Sequence, residues 1–301
     1  MARAHRAATV TNPQAGANRF VVLVSGSWRL WRSIDPLGRV GLVIVTLLAF
    51  LAITGFWLVP HDPYRMDVTR QLQPPSWSHP FGTDRYGRDV LSRVIAGTQV
   101  SLSIALLAVG CALAVGASLG IAAGYAGGAL DLALSRLMDI LLGFPSLLLA
   151  IAIAGTLGPG IRNGIIAIIV VYIPFFFRVS RAPVLSERER EYVEAARSIG
   201  LSEARIAVCH VLPNVLGPIL VQTAVTLAFA LLTEASLSFL GLGAQPPQPA
   251  WGAILNEGRV YIERAPWISI FPGLAIMLAV FGLNLAADGL RDVLDPRLRH
   301  R

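Results

Sequence analysis

Six long apolar segments alternate with polar segments along this chain. An α-helix rises about 1.5 Å per residue, so about 20 residues are needed to cross the roughly 30 Å hydrocarbon core of a bilayer. The segments that reach or approach this length are 40–59, 98–125, 140–157, 163–177, 215–242 and 268–287. The pattern therefore predicts an all-α membrane protein with six transmembrane helices.

The polar segments divide the chain into two tails and three long connections. The tails are 1–39 and 293–301, which leaves 40–292 as the transmembrane domain. The connections 60–97 and 243–267 are expected to face outside. In the first, Thr83 or Asp84 is expected to cap a short amphipathic helix that ends near Ile95. In the second, Trp251 is expected to rest at the membrane interface. The third connection, 181–214, is a charged hairpin.

Composition and charge place this hairpin and both termini on one side. With 54% hydrophobic and 14% charged residues, the chain has too little charge for a soluble surface. All 25 basic residues are arginine. A cytoplasmic start puts 17 arginines on the cytoplasmic segments and 8 outside, so the positive-inside rule predicts cytoplasmic termini. The net charge of +7 then reflects topology rather than nucleic-acid binding.

The absence of lysine limits how this chain could use energy. The phosphate-binding loop of ATPases requires Gly-Lys-Ser/Thr, which this sequence cannot supply. The chain is therefore not expected to hydrolyse ATP by that route. A pump that contains it would depend on another chain or on an ion gradient.

The charged hairpin has the pattern of two short helices joined by a tight turn. Ser186 and Glu189 have capping-box spacing, which predicts a helix from there to about residue 199. Gly200 can adopt the left-handed conformation that ends a helix. Ser202 is expected to cap a second helix, which Pro213 limits.

One face of the hairpin suits contact with another protein. Ala195 and Ala196 keep the surface low, so a partner's groove could approach the backbone closely. Tyr192 and Leu201 offer apolar contacts, and Val193 and Ile199 do the same. The hairpin is therefore predicted to dock onto a protein.

DNA binding is the rival reading of this hairpin. Ala196, Gly200 and Ile206 have the spacing of a helix-turn-helix. DNA binding requires a basic face, however, and the five glutamates within 187–212 outnumber the four arginines there. No nucleic-acid partner is expected.

The remaining motifs that could suggest a catalytic site have simpler structural explanations. Gly116-Ala117-Ser118-Leu119-Gly120 matches a serine-hydrolase elbow, but all five histidines lie outside the spans. Gly116, Gly120, Gly124 and Gly128 instead form a small-residue stripe for helix packing. No catalytic residue, metal ligand or disulfide between Cys111 and Cys209 is expected.

Three acidic residues lie near the ends of the predicted spans: Asp139, Glu234 and Asp288. An ionisable group at such a position raises a functional hypothesis, although pairing at a helix end is the simpler reading. Glu234 falls near the outer end of the fifth span. We assign Glu234 as a gate or a structural contact.

Several motifs resemble one family of transporters. The hairpin contains Glu194-Ala195-Ala196, three residues, Gly200, nine residues, and then His210-x-Leu212-Pro213. This order is similar to the coupling-helix motif of ATP-binding-cassette (ABC) importer permeases, and His210 is typical of the dipeptide and oligopeptide branch. The C-type subunit of that branch is also similar in the motifs His79-Pro80-Phe81-Gly82-Thr83-Asp84, Gly87-Arg88-Asp89, Phe144-Pro145, Glu234-Ala235-Ser236-Leu237-Ser238-Phe239-Leu240-Gly241-Leu242-Gly243, Trp251-Gly252 and Asp288-Gly289-Leu290-Arg291-Asp292.

The resemblance implies a type I ABC importer permease in a bacterial cytoplasmic membrane. It implies a second, related permease subunit, two ATPase subunits that bind ATP and Mg, and an extracytoplasmic binding protein. The chain itself would hold no cofactor. Residues 187–212 would contact an ATPase, with Glu194 as a polar contact, Ala195 and Ala196 as the close-packing surface, and Gly200 as the turn. Tyr192 and Leu201 would add apolar contacts.

The cargo and the mode of transport stay open. The subfamily favours di- or oligopeptides, whereas related permeases carry nickel, haem or other small solutes. An ion-coupled secondary transporter or channel is a second class of function, but it would favour charged, unwound helices at the membrane centre. A membrane enzyme is a third class of function, but this sequence lacks the histidine-based or metal-ligand cluster that such an enzyme would need.

Overall fold

A computed structural model of the chain describes residues 34–294, which form a helical bundle. The predicted tails lie largely outside this range. Short 3-10 turns occupy Val68–Arg70 and Arg259–Tyr261, and a π turn occupies Ala207–Val211. The α-helices of the described range are α1 Pro36–Leu58, α2 Val90–Ala126, α3 Gly128–Leu142, α4 Ser146–Leu157, α5 Ile161–Glu187, α6 Glu191–Ser198, α7 Glu203–Ile206, α8 Leu212–Phe239, α9 Trp251–Gly258 and α10 Trp267–Leu294.

Five of the predicted spans are single helices long and apolar enough to cross a membrane. They are α1, α2, α5, α8 together with the π turn before it, and α10. The span predicted at 163–177 is longer than expected, because α5 has 27 residues and contains Pro174 and Pro183. A transmembrane helix tolerates such prolines when neighbouring groups satisfy the freed carbonyls.

The third predicted span is not one straight helix. Residues 140–157 cross a break between α3 and α4, which meet at 90°. Pro145 explains the break, because proline lacks a backbone N–H and disfavours the helical conformation of the residue before it. Helices of 15 and 12 residues extend only about 22 and 18 Å, so neither alone spans the hydrocarbon core. The bent pair counts as the sixth span.

The start of α2 also differs from the prediction. Thr83 and Asp84 lie in a loop and cap no separate helix. The helix begins at Val90, where the Asp89 side chain accepts a hydrogen bond from the Ser92 N–H at 2.8 Å. Residues 90–97 are therefore the first turns of the second span.

The packing of α2 against α5 fixes their relative direction. A Cβ added to Gly116 would lie 2.5 Å from the Ile173 carbonyl oxygen, and one added to Gly124 would lie 3.0 Å from that of Arg181. The two helices are therefore parallel, and both run toward the charged hairpin. We call this end of the bundle the hairpin end.

Both described ends of the chain lie at the hairpin end. Gly38 near the start of α1 packs against Gly289 near the end of α10. Gly55 near the end of α1 packs against Ile95 near the start of α2. The opposite end is covered by residues 59–89 and 240–266, which we call the cap.

Three of the four glycines in the predicted stripe pack closely against another helix, which is α5. Gly116, Gly120 and Gly124 all face α5 at distances where a side chain would collide. Gly128 lies outside this contact, because no other described segment comes within 4 Å of its Cβ position. The prediction that Gly128 belongs to the packing stripe is therefore wrong.

Gly120→Val is expected to separate α2 from α5. Its Cβ would overlap Ser180 Oγ and the Phe177 carbonyl oxygen, and overpacking of this kind costs about 1–3 kcal/mol. Thermal unfolding of the purified protein in detergent should show a lower Tm. The control is Gly110→Val in the same helix, where no other described segment comes within 4 Å of the Cβ position. Equal Tm values for the two variants would contradict the close contact.

Candidate functional site

The charged hairpin consists of α6, a tight turn and α7. Gly200 adopts a φ of 80°, in the left-handed region that glycine favours. Its N–H donates to the Arg197 carbonyl at 2.9 Å, and the Leu201 N–H donates to the Ala196 carbonyl at 3.2 Å. This pair of bonds is the Schellman motif. The predicted glycine turn is confirmed.

The limits of the hairpin helices differ from the prediction. Ser186 lies in the last turn of α5, so it does not begin a helix, and α6 starts at Glu191. Pro213 does not end the second helix. It lies in the first turn of α8, directly after the π turn that ends at Val211. The second limb of the hairpin therefore continues through the π turn into α8.

The inner face of the hairpin is part of the hydrophobic core. Val193 and Ala196 pack with Val184 of α5 and Val215 of α8. Ala196 is only 6% exposed, so it faces the bundle and does not lie on the docking surface as the sequence analysis expected. Leu201 is partly buried against the same cluster. These residues fix the hairpin to the membrane helices.

In the described part of the chain, the outer face of the hairpin is exposed and accessible to a partner. Glu194 and Ala195 are exposed, and Ile199 beside the turn is 78% exposed. These three residues are the accessible part of the docking surface that the sequence predicts. We call Glu194, Ala195 and Ile199 the docking face.

Tyr192 joins the two membrane helices that flank the hairpin. Its hydroxyl donates to Glu187 Oε2 at 2.7 Å and accepts from Asn214 Nδ2 at 3.1 Å. Desolvation, followed by the bond to Glu187, raises the pKa of Tyr192. The Tyr192 hydroxyl therefore links the end of α5 to the start of α8, while the ring stays partly exposed.

Glu203 and Arg188 attach the hairpin to α2. The Tyr125 hydroxyl donates to Glu203 Oε2, and Arg197 Nε donates to Glu203 Oε1 at 3.1 Å. The bond from Tyr125 and then that from Arg197 hold the pKa of Glu203 below its usual value. Arg188 Nη1 donates to the Gly124 carbonyl at 2.9 Å. The hairpin is thus connected to α2, α5 and α8 at once.

A buried ion network holds the cap together. Arg88 Nε donates to Asp84 Oδ2 at 2.6 Å, and Arg88 Nη2 donates to Glu257 of α9. Arg93 Nη2 also donates to Glu257, at 3.3 Å. Both arginines are almost fully buried. The network joins the loop before α2 to α9, which follows it by more than 160 residues.

The cap contains a group with the composition of a metal site. The ligand atoms of His61, His79 and Asp89 all lie within 4.8 Å of one another. Arg70 Nη1 lies 3.1 Å from His79 Nε2, and because a guanidinium can only donate, that nitrogen accepts. His79 Nδ1 is then the protonated nitrogen that donates to Asp89 at 2.9 Å. Both ring nitrogens have partners, so the group acts as a hydrogen-bond chain.

Glu234 lies inside the protein at the cap end of α8. Its Oε1 accepts from Ser238 Oγ at 2.8 Å, and the same Oγ accepts from the Ala244 N–H at 3.0 Å. Glu234 lines a cavity of ≈ 10 Å³, about enough for one water molecule. Glu234 therefore links the end of α8 to the loop that follows.

The other predicted positions are structural or exposed. Asp139 accepts from Arg178 Nη2 at 2.7 Å, which is the expected helix pairing, and Asp288 is exposed on α10. Trp251 is 0% exposed and its Nε1 donates to the Val94 carbonyl at 2.9 Å. The expectation that Trp251 rests at the membrane interface is therefore wrong, because α9 folds back into the cap.

Known proteins share both the sequence and the fold. Residues 116–300 match the family described as the binding-protein-dependent transport system inner membrane component. Residues 28–75 match the N-terminal transmembrane domain of oligopeptide transport permease C.

Relatives align over most of their length. The dipeptide transport system permease protein DppC of Alkalihalophilus pseudofirmus is 46% identical over 265 residues, which cover 88% of this chain and 87% of that protein. The di/tripeptide transport system permease protein DppC of Pseudomonas aeruginosa is 45% identical over 266 residues, which cover 86% and 88%.

A solved structure has the same fold. An inward-facing structure of the MetNI methionine ABC transporter matches with a TM-score of 0.58 and 17% identity, covering 68% of this chain and 97% of that one. The helices thus have the type I ABC importer permease fold, and the family consists of transport permeases rather than enzymes. With five apolar helices and a bent pair among residues 34–294, this multi-pass inner membrane protein belongs to the family of inner membrane components of binding-protein-dependent transport systems.

Proposed function

We propose that this chain is one permease subunit of an ATP-driven importer of short peptides. The similar proteins named for dipeptide and di/tripeptide transport support this cargo. A second, related permease subunit completes the translocation path. Separate ATPase subunits bind ATP and Mg, and a binding protein delivers the peptide. The lack of any lysine for a phosphate-binding loop agrees with an ATPase on other chains.

The anchored hairpin is the observation that carries this proposal. Its docking face is exposed, whereas its inner face is packed between α5 and α8. A partner bound at Glu194, Ala195 and Ile199 would therefore move the membrane helices together with the hairpin. ATP-driven closure of the ATPases would shift the permease between inward-facing and outward-facing states, a rigid-body form of alternating access.

The topology of the bundle supports cytoplasmic termini. Both described chain ends lie at the hairpin end, beside the surface that we assign to the ATPase. The cap then faces outside, where the binding protein arrives. This orientation agrees with the arginine distribution, which places 17 of 25 arginines on the hairpin side.

No observation favours the other cargoes or an ion-coupled mechanism. His79 has both ring nitrogens engaged, so the histidine group of the cap gives no support for nickel. The buried ion network of Arg88 and Arg93 lies in the cap and at the first turn of α2, rather than at the centre of a span. ATP-driven peptide import is the function that the site supports best.

Crosslinking tests the assignment of the docking face. Ile199→Cys, in a Cys209→Ser background, is expected to form a crosslink with an ATPase subunit in membrane vesicles. Ile262→Cys in the cap is the control, because this side chain is also exposed, at 57%, but lies at the opposite end. Capture of an ATPase from position 262, or its absence from position 199 in vesicles active in ATP-dependent peptide uptake, would refute the assignment.

A further inference from the structure

A large cavity opens along one face of α8. It has a volume of ≈ 430 Å³, which lies within the range of small-molecule sites. Its lining residues on α8 run from Gln222 to Ser236, a length of about 21 Å along the helix. Ser146 of α4 and Tyr172 of α5 complete two other walls. The cavity borders the break between α3 and α4.

The polar groups of this cavity are neutral and held in fixed positions. Gln222 Nε2 donates to Thr226 Oγ1 at 3.0 Å. Thr233 Oγ1 donates to the Phe229 carbonyl at 2.9 Å. Because Thr233 has a single hydroxyl hydrogen, the Tyr172 hydroxyl must donate to Thr233 across the 2.9 Å between them. The hydrogen-bonded hydroxyl oxygens of Tyr172 and Thr233 therefore form a polar patch on the cavity wall.

Gln222 keeps hydrogen-bonding capacity toward the cavity. Its amide has two donor hydrogens and an acceptor oxygen, and the bond to Thr226 uses one hydrogen. Gln222 is partly exposed, whereas Thr226 behind it is buried. An amide with one free N–H and a free carbonyl oxygen complements the N–H and C=O groups of a peptide main chain.

The lining of the cavity contains no ionisable acid, base, imidazole or thiol apart from the Tyr172 phenol. A charged wall would attract peptides of one charge and reject those of the other, since like charges placed together cost several kcal/mol. A neutral wall leaves the main chain as the feature that all peptides share. The lining also lacks the ligands that a metal ion would require.

We propose that the α8 cavity holds the main chain of the peptide in transit through neutral hydrogen bonds, to which Gln222 contributes, and that the neutral lining makes the permease indifferent to side-chain charge. This inference rests on the proposed function, because the second permease subunit closes the open side of the cavity. Phe229 and Leu232, each about half exposed on the cavity rim, are the apolar surface available for that closure.

The test is charge selectivity in liposomes that contain the complete transporter and its binding protein. The probes are the tripeptides Ala-Lys-Ala and Ala-Glu-Ala. Gln222→Glu, which has nearly the same shape, is expected to raise the uptake ratio of the lysine to the glutamate peptide about tenfold over wild type. Gln222→Leu should lower uptake of both peptides and leave their ratio unchanged. Gln248→Glu, the same chemical change at an exposed cap position, should leave the ratio unchanged.

The outcomes separate the two proposals. If the wild-type complex moves no peptide, the proposed function fails and the inference fails with it. If it moves both peptides but Gln222→Glu leaves their ratio unaltered, the inference alone is wrong. Photolabelling of the wild-type complex during turnover, with a tripeptide that carries a benzophenone side chain, gives a readout independent of variant folding. Label on the cavity walls supports the inference, and label confined to other segments overturns it.

Discussion

Arg88→Met is expected to lower the free energy of unfolding by about 3–5 kcal/mol, the cost of breaking a buried ion pair from one side. The arginine is buried and donates to both Asp84 and Glu257. Its removal leaves two buried carboxylates with Arg93 as their remaining cation. Thermal and denaturant unfolding of the purified permease in detergent would measure the loss.

Three further variants, one of them Glu257→Gln alone, identify the cause of this loss. Arg162→Met removes an exposed arginine and is expected to change stability little. Adding Glu257→Gln to Arg88→Met removes one of the unpaired charges, so the double variant should recover part of the lost stability, as a coupled pair requires. If the double variant is instead as unstable as the sum of the two single changes, the network does not act as a unit.

Ala195→Trp is expected to abolish ATP-dependent peptide uptake without lowering the Tm of the permease. Ala195 is exposed on the docking face, so a large ring there blocks close approach of a partner but displaces no side chain in the described part of the chain. The neighbouring Ala196 offers a matched comparison. It is buried in the hairpin core, so Ala196→Trp should lower the Tm through overpacking of about 1–3 kcal/mol or more.

Uptake into liposomes and thermal unfolding should therefore separate the two alanines. The position 195 variant should keep its Tm and fail to couple ATP hydrolysis to transport, whereas the position 196 variant should be unstable. Normal transport by Ala195→Trp would show that this surface contacts no ATPase. A drop in Tm at position 195 equal to that at position 196 would contradict the two-faced hairpin.

Sequence patterns predicted the elements whose signals are local. Apolar length identified five single-helix spans, and Gly200 was identified as a left-handed turn because its neighbours form a helix end. Glycine spacing predicted close helix packing at Gly116, Gly120 and Gly124, and the structure identifies α5 as the partner helix. The resemblance in motif order then led to the family, which the comparisons confirm.

Features that depend on tertiary packing were missed. The burial of Ala196 depends on where α6 rests against Val184 and Val215, and nothing in the spacing of adjacent alanines distinguishes them. The pairing of Arg88 with Glu257 joins residues 169 apart. The break between α3 and α4 had a local signal in Pro145, but the apolar run across it resembled one continuous span. The burial of Ala196, the partner of Arg88 and the angle between α3 and α4 could therefore be learned only from the assembled structure.

Because the hairpin is attached to α5, a small tilt at the hairpin becomes a larger displacement at the other end of that helix. With 27 residues, α5 is a lever of about 40 Å, so a tilt of about 10° at the nucleotide-binding side would swing its far end by about 7 Å. A displacement of that size exceeds the width of an extended backbone. Slight closure of the motor domains would thus be amplified into opening a passage wide enough for cargo.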